Sequence, residues 1–346
     1  MEDVFTRELD KLSSRESSSS SLWQAKCATL GANLEIAERG RDEAKKEITK
    51  RDHEIERLRG QVRGLKEWVS QSTRSDGTGA VTDDELRNRM ERLGNELQNW
   101  VVGAFRKGRV DLTRGVTDEE VVRLVPMFEE VVATSKVHLL QSLVSRVLVE
   151  EVFDRYFVGL SDEQAGQIAQ VERLLASFGM CLGWDERSRL TGTASSPGPV
   201  NQWRSQTLAL LKREAGERLQ AGTTQITDNI IRKVNGLLDT ITGTTANEIR
   251  NQGLRGLVTS AIELSRLLAV QKAVFKVFMP DILPHQRTIF DPATMEDLGG
   301  EDDEGLEERE ICCVAFPGIM KRGDGGGGHL QYHNVISKAR VLCSPE

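Results

Sequence analysis

The sequence predicts an all-α chain in five parts. A flexible Ser-rich N-terminus (1–21) precedes a coiled-coil helix (22–70), and a polar linker (71–81) leads to a helical bundle (82–280). An acidic, Gly-rich tail (281–346) follows, in which a short β-hairpin is available between 311 and 342. Three observations carry this prediction. Apolar residues recur in a 3–4 alternation from Trp23 to Val69 whose register never slips, though Arg41 and Arg51 interrupt it; this is the period that winds a helix around a partner. Ser/Thr-x-x-Glu/Gln boxes, which satisfy the orphan amides of a helix N-terminus, open the later apolar runs at Thr82, Thr117 and Ser161. No segment before residue 280 alternates with the period of two expected of a half-buried strand.

In heptad register the a positions are Cys27, Leu34, Arg41, Ile48, Ile55, Val62 and Val69, and the d positions Trp23, Leu30, Ala37, Ala44, Arg51, Leu58 and Leu65. β-Branched residues at a with leucine at d, as in the second half, favour two parallel strands. The interface expected from this pattern is Leu30, Leu34, Ile48, Ile55, Leu58, Val62, Leu65 and Val69. Defects thin its first half. Arg41 and Arg51 put charge in the seam, two alanines occupy d, and Gly31 and Gly40 each cost about 1 kcal/mol relative to Ala. At ~1.5 Å per residue the segment would reach about 70 Å, too long for a buried helix of a compact domain.

Beyond the Gly/Ser/Thr stretch 70–81, helices are expected at 82–105, around 117–126, at 137–158, 161–178, 203–219 and 226–241, and from 246 to about 278, where Pro280 stops the helix. The run 137–158 is apolar most of the way round and reads as the central helix of the bundle. In the tail, ICCVAF (311–316) and VISKARVL (335–342) are short β-like runs flanking a glycine loop.

Charge and cysteine usage restrict the function. The net charge is −7, and residues 281–346 hold 13 acids against 6 bases, so the rest of the chain is neutral. A neutral body with an acidic tail lacks the basic face that a general nucleic-acid binder needs. Five cysteines at irregular spacing, with neither a basic n-region nor an apolar h-region at the start, point to a reducing compartment, cytoplasmic or nuclear. The most apolar run, 137–158, carries five charges, so no membrane span is expected.

No constellation for chemistry emerges. Gly323, Gly325, Gly326, Gly327 and Gly328 lack the following Lys-Ser/Thr and helix of a phosphate cradle and read as a flexible loop. Cys312, Cys313, His329, His333 and Cys343 are the one group of soft ligands, but adjacent cysteines on a strand point to opposite sides. The five histidines are scattered, and acid pairs such as Glu150-Glu151 read as solvated faces that point apart. No catalytic, cofactor-binding or metal-ligating residue is therefore assigned, and no cofactor is expected.

Several segments carry a resemblance: DDELRNRMERLGNELQNWVVGAFRK (83–107), IFDP (289–292), FPGIMK (316–321) and NVISKARVL (334–342). They resemble segments of a group of uncharacterised filamentous-fungal proteins that place a coiled coil before a helical region and a short C-terminal motif. The resemblance spans most of 83–346 and implies that architecture; it brings no catalytic or binding residues. The expected function is a non-enzymatic, intracellular coiled-coil interaction or scaffold protein, a homodimer or partner of another coil. The competing expectation is a helical enzyme or small-molecule receptor with a pocket between bundle helices.

Overall fold

The computed structural model describes residues 2–72, 81–106, 110–111, 119–181, 198–283, 287–299 and 309–344. Most of the expected linker, the box at Thr117 and the acidic run 301–308 lie outside the described residues. The chain divides into two units, Met1–Val69 and Ser70–Glu346.

The first unit is one helix, α1 (Glu2–Ser72). It runs through the serines at 17–21, where the sequence suggests a flexible segment. Serine costs a helix about half a kcal/mol relative to Ala, less than glycine, so a short run between good helix formers need not break it. The hydroxyls of Thr29 and Thr49 donate back to the carbonyls of Ala25 and Lys45, each at 2.9 Å. Gly31, Gly40 and Gly60 have nothing within 4 Å of where a Cβ would stand, so no contact within this unit requires their smallness.

The second unit begins with α2 (Asp83–Phe105), capped by Thr82, whose hydroxyl accepts from the Glu85 amide at 3.2 Å. Its Leu86, Met90, Leu93, Leu97, Val101 and Phe105 form one buried stripe. Two short helices, α3 (Glu119–Leu124) and α4 (Phe128–Thr134), lead into α5 (Lys136–Leu148). As expected, α5 is buried nearly all round and packs against α2, α4 and a later helix and strand. It does not continue to residue 158; it ends in a π-turn, Val149–Phe153. α6 (Asp162–Cys181) starts at the Ser161 box, which is closed in both directions: Ser161 N donates to Gln164 Oε1 at 3.0 Å and Gln164 N to Ser161 Oγ at 3.2 Å. α7 (Gly198–Glu214), α8 (Gly216–Thr242) and α9 (Glu248–Ala269) complete the helices among the described residues.

A buried arginine ties the α8–α9 turn to α2. The Arg250 guanidinium donates to Asn235, Thr244 and Asp239 and lies 5.0 Å from the centre of the Phe105 ring. Trp100 of α2 donates its indole N–H to the Arg250 carbonyl at 3.0 Å. Its ring fills the space beside Gly253, where a Cβ would stand 2.8 Å from it.

The all-α expectation needs correction: the chain is mostly helical and also builds two three-stranded sheets. The first correction is at the end of α9, where the sequence predicts helix to about 278. The helix stops at Ala269 and Val274–Phe278 is strand β1. Side chains of α7 take the carbonyls that a continuing helix would use. Ser205 Oγ donates to Val270 at 2.6 Å, and Arg204 Nη2 to Gln271, Lys272 and Ala273 at 3.0–3.3 Å. The following Val-Phe-Lys-Val-Phe suits a pleated strand, a pattern hidden in the sequence by the long apolar run before it.

The second correction concerns the C-terminal region, where β2 (Met295–Asp297), β3 (Ile311–Phe316), β4 (Gly318–Arg322), β5 (His333–Ser337) and β6 (Ala339–Cys343) form. One sheet has the order β1-β4-β5, all antiparallel; the other is β2-β6-β3, with β2 parallel and β3 antiparallel to β6. The run read as one strand over 335–342 is divided between the sheets. Every residue of β3 is buried. The strand lies on α5, and Ser145 Oγ donates to the Ala315 carbonyl at 2.7 Å. Phe316 packs so close to α2 that a Cβ on Gly94 would stand 3.1 Å from its ring. Cys312, Phe316, Ile319, Ile336 and Leu342 share one core with the helices. A two-stranded hairpin would be marginal in water; these strands are stable because α5 and α2 cover them.

Candidate interaction surface

The a and d residues of α1 stand in one continuous helix with none of their described side chains buried. Leu30 is 67% exposed, Ile48 59% and Ile55 46%, and Trp23, Leu34, Leu58 and Val62 are exposed likewise. Leu65 and Val69 belong to the helix backbone, but their side chains lie outside the described residues. One seam thus presents seven large apolar residues to solvent, against the usual scattering of single ones. Charges in and beside the seam are paired along the helix: Arg51 Nε with Glu47 at 3.3 Å, Arg57 with Glu54 at 3.8 Å, and Arg41 with its neighbour Asp42 at 3.1 Å. The Lys26 ammonium lies 5.0 Å over the Trp23 ring.

In the second unit, a cavity of about 260 Å³ opens between the π-turn with the residues that follow it, α6, α7, α9 and β1. Sequence inspection did not single out its residues. Tyr156 donates its hydroxyl to Glu172 at 2.8 Å. Burial, with the Glu172 carboxylate adding to it, pushes the phenol well above its ordinary range. Arg204 reaches in from α7; burial lowers its pKa, and its Nε is sealed without a hydrogen-bond partner. Asp154 stands at the mouth, where partial burial raises its carboxyl against the pull of Lys276. Leu208, Leu268 and Phe275 supply apolar wall. The signal that could have exposed this site is the row Asn201, Arg204, Ser205 and Leu208 at helical spacing, with polar residues facing inward.

Glu150 and Glu151 do not point apart. The π-turn brings both toward Lys233 of α8, whose Nζ is 3.8 Å from Glu150 and 3.3 Å from Glu151, with Glu120 a third partner at 3.3 Å. Burial opposes the Lys233 charge, but its bonds to Glu120 and Glu151 outweigh that and raise its pKa. Arg123 grips Glu150 with two bonds of 2.6 and 3.0 Å and holds its carboxyl below the ordinary value. These contacts fasten α3, the π-turn and α8 to one another, which reads as structural use of the acids.

The glycine loop, read as flexible, is built around Asp324. Its Oδ1 accepts from the amides of Gly326 at 3.0 Å and Gly328 at 2.8 Å, while Oδ2 pairs with His329 Nδ1 at 2.8 Å. The converging amides that would bind a phosphate thus hold the chain's own carboxylate. Asn201 pins the loop by donating to the Gly327 carbonyl at 2.7 Å, and a Cβ at Gly327 would meet the Lys272 carbonyl at 2.7 Å. Cys312, Cys313 and Cys343 are buried thiols whose pKa values burial pushes to about 11, 12 and 12. His329 pairs with Asp324 instead, and His333 Nδ1 with the Gln331 carbonyl. Among the described residues no group of three or more His, Cys, Asp or Glu side chains is arranged to hold a metal ion, and no helix is long and apolar enough to cross a membrane.

Comparison with known proteins finds similarity to Leashin of Aspergillus fumigatus, 23% identical over 364 aligned positions that cover 95% of this chain. The chain spans 6% of that protein's length. The similarity is thus a distant one to a fungal protein. No protein-family profile and no solved structure matches the chain.

One half-buried group predicts a pH dependence for the second unit. His138, at the start of α5, has a sealed Nδ1 without a partner, and burial lowers its pKa against the pull of Asp297. A lowered folded-state value means the fold favours the neutral ring. That stability is present above the ordinary value of about 6.5 and is lost as pH falls from there through the folded value. Urea unfolding should therefore show lower stability near pH 5.5 than near pH 7.5, and His138→Leu should flatten the difference. An unchanged pH dependence in His138→Leu would contradict this assignment.

Proposed function

We propose that the chain is a non-enzymatic interaction protein whose α1 pairs with a second copy of itself, leaving the second unit to engage other components. The observation that carries this reading is the exposed apolar seam from Trp23 to Val62 on an unbroken helix. Burying such a seam against a like helix recovers about 25 cal/mol per Å² of apolar area, while leaving it in water recovers nothing. Helices in proteins gain most of their stability from packing an apolar face, and nothing within its own unit packs on that of α1. The irregular spacing of the five cysteines favours a reducing, cytoplasmic or nuclear setting for this activity.

Ile48→Glu combined with Ile55→Glu would put four like charges into a paired seam. By light scattering at tens of micromolar, the unaltered chain should have twice the chain mass and the double variant the single mass. A single mass for the unaltered chain, with no second protein bound to α1, would refute the reading.

A second reading, a receptor for a small ligand, has the cavity of Asp154, Tyr156, Glu172 and Arg204 in its favour. Apolar walls with a few convergent polar groups are the usual makeup of such sites. It predicts hits from a fragment library of small amphoteric compounds by ligand-observed NMR, and their loss in Arg204→Leu. Hits that survive that substitution, or none, would dismiss it.

A further inference from the structure

We infer that two copies of α1 pair antiparallel, about a centre between Asp42 and Glu43, rather than in parallel. The inference rests on the self-pairing reading above and concerns which way the second helix runs. The apolar pattern in the second half of the seam favours parallel strands, but the charges oppose it. A parallel pair in register faces each a residue with its own copy and each d residue likewise. Arg41 would then face Arg41 and Arg51 would face Arg51 inside the seam. At the flanks Glu47 would face Asp52 twice, offsetting the two favourable contacts of Glu54 with Arg59. Each arginine already holds its own acid along the helix, at 3.1 and 3.3 Å, so two such pairs would have to fit in one gap.

Reversing one helix brings a opposite d, e beside e and g beside g. With the centre between Asp42 and Glu43, Arg41 lies opposite the second copy's Ala44, one of the two smallest residues of the seam, which leaves room for the long side chain to turn outward. Arg51 lies opposite Leu34, and Ile48 fills the space above Ala37. Trp23, exposed on the single helix, is covered by Val62. At the flanks Glu38 comes beside Lys45 twice, and no two like charges meet. Neighbouring registers are worse. A shift of one heptad one way sets Arg41 against Arg51; the other way sets Leu58 against Ser20 and Val62 against Glu16, outside the apolar seam. The continuity of α1 from Glu2 to Ser72 supplies the unbroken backbone that all these layers need.

The test places one nitroxide on Ala32→Cys, on the outer face of the helix, in the full chain carrying Cys27→Ser and Cys181→Ser. Cys312, Cys313 and Cys343 are buried and stay unlabelled. In the antiparallel pair the labels are offset by about 32 Å along the axis, at ~1.5 Å per residue, and by roughly two helix diameters across it. The dipolar distance should then be about 40 Å. A distance of about 20–25 Å, set by the width of the pair alone, overturns the antiparallel arrangement and leaves self-pairing intact. No dipolar signal, together with a single-chain mass, overturns both. A check that leaves the seam untouched uses Cys181→Ser alone under mild oxidation. Antiparallel pairing predicts no disulfide between the two Cys27, and a covalent Cys27–Cys27 dimer would overturn it.

Discussion

An apolar seam on a helix must be covered, and this constraint organises the first unit. α1 carries seven large apolar side chains at heptad spacing, all exposed, in a helix weakened by glycines at 31, 40 and 60 that meet nothing. Propensity alone does not sustain such a helix in water. Under the proposed self-pairing, charge decides direction: the arginines at 41 and 51, placed where a heptad wants apolar residues, penalise a partner that repeats them at the same level. The feature that looks like a defect of the coil in the sequence thus becomes the feature that selects its geometry.

The second unit answers the same constraint from within. α5 is apolar on nearly all sides, and the helices around it leave one flank open. Strand β3 closes that flank, buried on both faces, with Ser145 holding its backbone. The C-terminal strands are therefore part of the core and not an appended tail. Polar groups lock the joints between layers: Arg250 at the α8–α9 turn, Arg204 and Ser205 at the end of α9, and Asp324 inside the glycine loop.

Local signals were legible in the sequence. The caps at Thr82 and Ser161, the buried stripe of α2 and the all-round burial of α5 follow from spacing alone. What the sequence concealed depends on residues far apart in the chain. β1 looked like more of α9 because the carbonyl contacts that end the helix come from Arg204 and Ser205, some 65 residues upstream. The glycine loop looked flexible because its order depends on one aspartate and on Asn201 of α7. Glu150 and Glu151 looked like solvated neighbours because an α-helical spacing was assumed where a π-turn forms. The polar cavity had no signature, since its groups come from five elements that only the fold brings together.

The central claim, that the α1 seam is covered by a second copy, is tested most directly by amide hydrogen exchange at two concentrations. The full chain should show slow exchange between residues 48 and 62 at about 50 µM, and that protection should weaken at about 0.5 µM while the second unit is unchanged. Fast exchange throughout α1 at both concentrations would contradict it.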